Sequence, residues 1–347
     1  MITSVYRRHR LTALAAMTAM TACLAGGCGV DTYDGPSVRV ADTRRCMGVP
    51  WTITVCAADR AAGLAAIAAA FSEVDRLERI LSDYDPTSEL SRLSATSPSA
   101  APVAVSDDLW AVLVRAAEIT DGTDGAFDVT VGPLTVLWRQ SRRSGYLPRP
   151  DKLAAARAAV GSDAIVRDDA SRAVSLSRPT MRLDPGGIGM GYAADRVLEL
   201  LARHGITSAM VDASGDVAVA AAPPGAAGWR IAVAGLPGAG KTAGGTLLLQ
   251  NAAVTTSGDA NQAVEIDGRR YSHVVDPRTG IGVAGPAAVT VIAPDCTTAD
   301  ALATAANVLG PEAGPAVIGR FPGCSARFTW REGDATRSLN TPGWPIP

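Results

Sequence analysis

Leu183-Asp184-Pro185-Gly186-Gly187-Ile188-Gly189-Met190-Gly191-Tyr192 runs without a break into the helical stretch Ala193 to His204, which Gly205 closes. Glycines let a backbone approach a ligand or another backbone closely. A helix that follows turns its first N–H groups and the positive end of its dipole toward the loop. That arrangement suits a pyrophosphate, and equally a tight turn that binds nothing. The flanking sequence decides the fold class. Upstream, Trp51-Thr52-Ile53-Thr54-Val55 alternates as a strand does, and Leu64, Ile67, Phe71, Val74, Leu77 and Leu81 recur at helical steps. Ser94 to Pro102 reads as a loop, and Ser106 as the N-cap of a helix to about Thr120, stopped by Gly122. A second turn-rich patch runs from Thr123 to Leu134. Downstream, short strands flank a Ser214-Gly215 turn. Others follow at Trp229 to Ala234, Gly245 to Leu249 and Val289 to Ile292, and a helix runs from about Thr298 to Leu309, ending at Gly310. No regular βαβ rhythm joins these elements, so the expected class is α+β rather than a doubly wound sheet.

The first thirty residues read as an address. Arg7, Arg8, His9 and Arg10 precede an apolar run from Leu11 to Ala22, and Leu24-Ala25-Gly26-Gly27-Cys28 follows. The run is shorter than the ~20 residues a bilayer needs, so it reads as a secretory signal. Small residues before a cysteine suggest a lipoprotein signal over 1–27, with Cys28 lipidated and Cys23 the alternative. The Arg7-Arg8 pair fits a twin-arginine signal poorly in its flanks. Residues 28–45, polar with Gly and Pro from Asp31 on, read as anchor and tether, and 46–340 as the folded domain. The chain is thus expected outside the cytoplasm, on the membrane by its lipid.

The 347 residues are 47% hydrophobic and carry a formal charge of −2, enough apolar matter for a proper core, and no basic stretch stands out in the mature part for nucleic acid. Cys46, Cys56, Cys296 and Cys324 remain beyond the anchor, with no CxxC spacing for a zinc cage and no assignable pairing.

Gly235-Leu236-Pro237-Gly238-Ala239-Gly240-Lys241-Thr242 matches the phosphate-binding pattern G-x-x-x-x-G-K-T. That pattern needs a helix after it, and Ala243-Gly244-Gly245-Thr246 is a poor helix start, so the stretch reads as a surface hairpin. Asp300 and Thr304 are four apart on one helix face, where a carboxylate, a hydroxyl and backbone carbonyls make a hard oxygen site suited to Mg²⁺. His273 with Asp276 is a candidate acid/base or orienting pair, and also fits a simple turn.

Taken in order, the motifs resemble one family. Met47-Gly48 comes first, then Leu81-Ser82-Asp83-Tyr84 with Ser88-Glu89-Leu90, then Asp124-Gly125-Ala126-Phe127-Asp128 through Gly132-Pro133-Leu134. Leu183-Asp184 with its glycines, Gly191-Tyr192-Ala193-Ala194-Asp195 and Thr256-Ser257-Gly258 follow. His273 to Gly280, Thr290-Val291-Ile292-Ala293 and Ala299-Asp300-Ala301 complete the series. From about Met47 to Gly310 the chain resembles the FAD:protein FMN transferase, or ApbE, family.

The resemblance implies an ApbE-like (T-fold-like) mixed sheet-and-helix domain with the flavin site in a central cleft. It implies Mg²⁺-dependent cleavage of FAD, transfer of FMN through a phosphoester to a Ser or Thr of an exported or membrane flavoprotein, and release of AMP. By position, Met47, Tyr84, Ala126, Phe127, Asp128, Asp184 and Val275 match flavin-contacting residues. Gly187 (through its carbonyl), Asp300 and Thr304 match the metal ligands. Two departures stand out. Met190 replaces a residue that is commonly charged, which removes a polar contact to FAD, and Ser214-Gly215-Asp216 replaces Gly-Gly-Asp. Hydrolysis of FAD to FMN and AMP, or FAD storage without catalysis, are the rival activities on the same fold. An aromatic Tyr84 and intact Asp300 and Thr304 weigh against them.

Overall fold

The computed structural model describes residues 37–233, 235–236, 244–258, 263–284 and 287–345. Its frame is an eight-stranded sheet with antiparallel neighbours throughout. In spatial order the strands are β1 (Val38–Cys46), β2 (Val49–Ala57), β6 (Ala209–Ala213), β7 (Asp216–Val219), β10 (Ala252–Gly258), β14 (Ala287–Ala293), β15 (Ser325–Glu332) and β16 (Ala335–Asn340). Three small sheets surround it. They are β3 (Val103–Ala104), β5 (Ala173–Leu176) and β4 (Ile165–Asp168); β8 (Trp229–Ala232) with β9 (Thr246–Leu249); and β11 (Val264–Ile266), β12 (Arg269–Val275) and β13 (Gly282–Ala284). The helices are α1 (Arg60–Leu81), α2 (Glu89–Ser94), α3 (Asp107–Gly122), α4 (Gly132–Ser144), α5 (Pro150–Ala158), α6 (Gly189–Arg203) and α7 (Cys296–Ile318). Mixed elements without parallel crossover units are the α+β class expected.

Helices α1, α6 and α7 lie across the large sheet. Helix α1 packs on β1 and β2, α6 on β6 and β7, and α7 on β10, β14 and β15. The apolar stripe of α1 predicts this burial: Ile67, Phe71, Val74, Leu77 and Leu81 are all buried, whereas Leu64 is exposed. Asp59 caps the helix by accepting from the Ala62 N–H at 2.8 Å. Ser106 caps α3 as its position suggests, accepting from the Leu109 N–H. Gly310, at φ 71° and ψ −175°, breaks α7, and Pro311 starts the segment that follows.

The structure corrects three expectations. Residues from Val38 onward are β1, not tether. Val38 and Val40 alternate with polar residues on an edge strand, so one face is buried and the other reads as loop-like. Helix α6 starts at Gly189, four residues before Ala193, and takes Met190 and Gly191 into its first turn. Helices α4 and α5 occupy a stretch for which no element was expected.

Residues 1–36, with the signal, Cys23 and Cys28, lie outside the described residues, as do Pro237 to Ala243 of the phosphate-loop-like stretch. That stretch joins β8 to β9, which pair antiparallel, so a strand follows it rather than the helix a phosphate loop requires. Among the described residues no helix is long and apolar enough to cross a membrane, and Cys46, Cys56, Cys296 and Cys324 are free thiols.

Candidate active site

A cleft of about 950 Å³ opens among the β1–β2 turn, the loop after α1, α4, the start of α6, α7, β10 and β12. It is large enough for a dinucleotide-sized ligand.

Helices α6 and α7 make its floor. Gly191 packs so closely on α7 that a Cβ there would fall on the Cys296 carbonyl oxygen and lie 2.9 Å from the Asp300 Cβ. The contact brings the Gly191 N–H within 3.2 Å of the buried Asp300 carboxylate, to which it donates. In the sequence, the first-turn N–H groups of this helix suit a pyrophosphate or, equally, a turn that binds nothing. One of them instead serves a carboxylate, an anion equally suited to a helix N-terminus. One turn along α7, Thr304 meets the glycine loop: a Cβ on Gly187 would lie 2.7 Å from the Thr304 Oγ1. Gly187, Asp300 and Thr304 therefore lie together on the cleft floor.

Two carboxylates secure the α7 N-terminus. Asp295 accepts from the Thr298 N–H at 2.7 Å. Asp195, reaching over from α6, accepts from the Cys296 and Thr297 N–H groups, both at 2.8 Å, and from the Thr297 Oγ1 at 2.5 Å. Burial still pushes Asp195 up to about 6, because the hydrogen bonds offset only part of the lost hydration.

Asp216, at the start of β7, also lines the cleft and is buried. Burial, and after it the charge of Asp216, pushes Asp300 well above the usual carboxylate range. Burial pushes Asp216 itself up to about 7, with the charge of Asp212 adding to it. Two buried carboxylates that resist ionising together fit a divalent cation. With Asp300 as carboxylate, the Thr304 hydroxyl and the Gly187 backbone beside it are also hard-oxygen groups, of the kind that favour Mg²⁺ over zinc. Among the described residues no three His, Cys, Asp or Glu side chains gather as an alternative metal cage.

The two turn-rich patches of the sequence form one wall. The Asp184 N–H donates to the Val129 carbonyl at 2.7 Å, and Val131 bridges to Arg182. The Asp184 carboxylate accepts from the Gly186 N–H at 2.9 Å, from the Thr135 Oγ1 at 2.6 Å and from Arg139 at 3.1 Å. Asp184 thus lines the cleft while its oxygens brace the glycine loop. Ala126 and Phe127 are buried in this wall. Asp128 accepts from its neighbour Thr130 through N–H and Oγ1, and burial raises its pKa.

Met47, Met190, His273 and Val275 line the remaining sides, and Tyr84, 75% exposed, stands at the mouth. Met47 and Gly48, at φ 48° and 81°, form the two-residue turn between β1 and β2. A non-glycine residue in the left-handed region is uncommon and often marks a functional site. Asp276 is the exception among the expected residues. Its carboxylate is taken by Arg278, through Nε at 2.9 Å and Nη2 at 3.0 Å, in the turn after β12, and it does not line the cleft. In the turn after β12 the Asp276 carboxylate is thus held by the Arg278 fork.

Asp216 and Arg139 were not expected at the site. Asp216 figured only as part of a turn, and its distance in sequence from Asp300 gives no hint of their proximity. Arg139 lies four residues after Thr135 on α4, and that spacing was the one available signal that both face the glycine loop.

Residues 47–328 match the model of the ApbE family. A FAD:protein FMN transferase of Treponema pallidum is 34% identical over 278 residues, covering 76% of either chain. One of Vibrio cholerae is 34% identical over 253 residues, covering 71% of this chain and 75% of the relative. The apo crystal structure of a flavinyl transferase of Pseudomonas stutzeri superposes with a TM-score of 0.77 at 29% identity, covering 88% of this chain and 95% of the other. The Thermotoga maritima apbe protein does so equally, with a TM-score of 0.77 at 29% identity over 86% of this chain and 96% of its own. With the matched residues running from the first hairpin to the strand after α7, and the cleft assembled from the same segments, the chain belongs to the ApbE family.

Proposed function

We propose that this chain is a Mg²⁺-dependent FAD:protein FMN transferase that joins FMN to a Ser or Thr of an acceptor flavoprotein and releases AMP. The observation that carries the reading is the mixed lining of the cleft. Gly187, Asp300 and Thr304 come together at the glycine loop. Phe127, Val275, Met47 and the ring of Tyr84 add apolar and aromatic surface to the same cleft. A flavin dinucleotide has the matching parts, an isoalloxazine and a pyrophosphate.

In the reaction the acceptor hydroxyl oxygen attacks the FMN phosphorus. A new P–O bond forms, the bond to the bridging pyrophosphate oxygen breaks, and AMP takes the departing electron pair. The hydroxyl proton passes to a base, for which His273 on the cleft wall is the candidate. Such displacement at phosphorus depends chiefly on positioning and charge neutralisation. Gly187, Asp300 and Thr304 would hold Mg²⁺, which supplies neutralising charge for pyrophosphate oxygens when bound. The apolar wall orients the flavin, and the glycine loop lets backbone approach the phosphates.

The N-terminal sequence supports export and lipid attachment at Cys28, which would put the enzyme on the outer face of the membrane beside exported or membrane acceptors. Incubation of the chain from Gly29 with FAD, Mg²⁺ and an acceptor domain, followed by mass spectrometry, tests the activity. An acceptor heavier by one FMN, only with metal and not with Asp300→Ala, is the expected result. Free FMN and AMP with an unmodified acceptor would replace transfer by hydrolysis.

A further inference from the structure

Arg139 joins three parts of the cleft. It lies on α4, beyond the motifs that carry the family resemblance. Its Nη1 donates to the buried Asp83 carboxylate at 2.5 Å and its Nη2 to the buried Asp184 carboxylate at 3.1 Å. Its guanidinium carbon sits 4.2 Å from the centroid of the Tyr84 ring, in cation–π contact. Asp83 and Tyr84 belong to the loop after α1, and Asp184 heads the glycine loop that presents Gly187. Arg182 donates to the Asp83 carbonyl, and Thr135 to the Asp184 carboxylate, so the clasp is anchored on both sides.

The burial pattern explains why arginine stands here. Asp83 and Asp184 are both more than nine-tenths buried and close enough to repel each other. A planar fork with two donor edges satisfies both, and its flat face remains free to lie against a ring. A lysine ammonium provides charge but no such face. The contact also accounts for the posture of Tyr84: one ring face rests on Arg139 while the residue stays 75% exposed.

We propose that Arg139 is a positioning residue that holds the Tyr84 ring as a stacking platform at the cleft mouth and ties that platform to the loop carrying Gly187. The proposal rests on the flavin reading of the cleft. It adds that platform and phosphate loop are set by one side chain, so that Arg139 acts on flavin binding through Tyr84.

FMN itself is the probe, since it carries the isoalloxazine that the Tyr84 platform would stack and cannot itself undergo transfer. Quenching of its fluorescence would be titrated for the parent, Tyr84→Ala, Arg139→Lys, Arg139→Gln and the double variant Tyr84→Ala/Arg139→Gln, each checked for cooperative melting. Arg139→Lys keeps a charge between the two carboxylates and so guards against loss of fold. Both Arg139 variants are expected to weaken FMN binding by about threefold to tenfold in the parent background, and by less than about twofold once Tyr84 is gone. Parent-like FMN binding by folded Arg139→Lys and Arg139→Gln would overturn the proposal alone. So would an equal loss with and without Tyr84. A parent that binds neither FMN nor FAD would instead overturn the flavin reading, and this proposal with it.

Discussion

Two glycines of the α6 first turn, Gly189 and Gly191, should respond oppositely to the same added methyl group. A Cβ at Gly189 would meet Pro185 at 3.7 and 3.8 Å and Leu81 at 4.0 Å, ordinary contacts. Gly189→Ala then leaves the packing intact and reduces the freedom of the unfolded chain, a gain of up to about 1 kcal/mol. At Gly191 the methyl would overlap the Cys296 carbonyl oxygen and press on the Asp300 Cβ at 2.9 Å. Neither is the far end of a flexible side chain, so α6 and α7 must separate. Such overpacking costs ~1–3 kcal/mol, which lowers Tm by roughly 1.5–5 °C in a chain of this size. The shift also lengthens the 3.2 Å bond from the Gly191 N–H to Asp300 and displaces the proposed metal ligand. Melting of both variants without metal, followed by FMN transfer at several Mg²⁺ concentrations, measures both effects. Gly189→Ala should match or exceed the parent. Gly191→Ala should melt earlier and require more Mg²⁺ for half-maximal transfer. Equal melting temperatures, or a parent-like Mg²⁺ requirement for Gly191→Ala, would refute the reasoning.

Thr304→Val keeps the side-chain shape and removes the hydroxyl, so the Mg²⁺ concentration for half-maximal thermal stabilisation should rise by about tenfold or more, while FMN affinity stays at the parent value; calorimetric melts across a Mg²⁺ series decide it. Asp195 has a folded pKa of about 6, above its ordinary 3.8. Its contribution to stability is therefore complete below pH ~4 and is lost as pH rises through ~6, a change of roughly 2–3 kcal/mol. Asp195→Asn lacks this titration, so the stability gap between parent and variant in metal-free buffer should narrow from pH 4 to pH 7; parallel curves would count against it. Trp138→Phe deletes the 2.9 Å bond from the buried indole N–H to the Ser272 carbonyl, which should cost ~0.5–1.5 kcal/mol in urea unfolding without changing the Mg²⁺ requirement.

The elements legible in the sequence are those whose burial follows one simple period. The stripe of α1 and the start and stop signals of α3 are cases in point, because each depends on residues three or four apart. Strand β1 was missed because an edge strand buries one face only, and its Asp42, Thr43, Arg44 and Arg45 read as solvent-facing tether. The start of α6 was placed late because glycine has poor helix propensity. Close contact with α7 overrides that preference and makes glycine the residue that fits. The set proposed to hold metal was legible through Asp300 and Thr304 on one helix turn and through the family resemblance. Asp216 and Arg139 were not, since their roles arise from like charges brought together across the fold. Asp276 misled in the other direction: its neighbour Arg278 lies two residues on and takes its carboxylate.

The floor and rim of the cleft draw on Met47 in the first hairpin and on Thr304 in the last helix. A ribosome must therefore finish nearly the whole chain before any flavin site exists, so a nascent or truncated chain has nowhere to lodge the nucleotide. Occupancy then acts as a report of completeness. On the proposed function, flavin and metal would bind the finished fold in preference to unfolded and clipped forms and stabilise it by mass action.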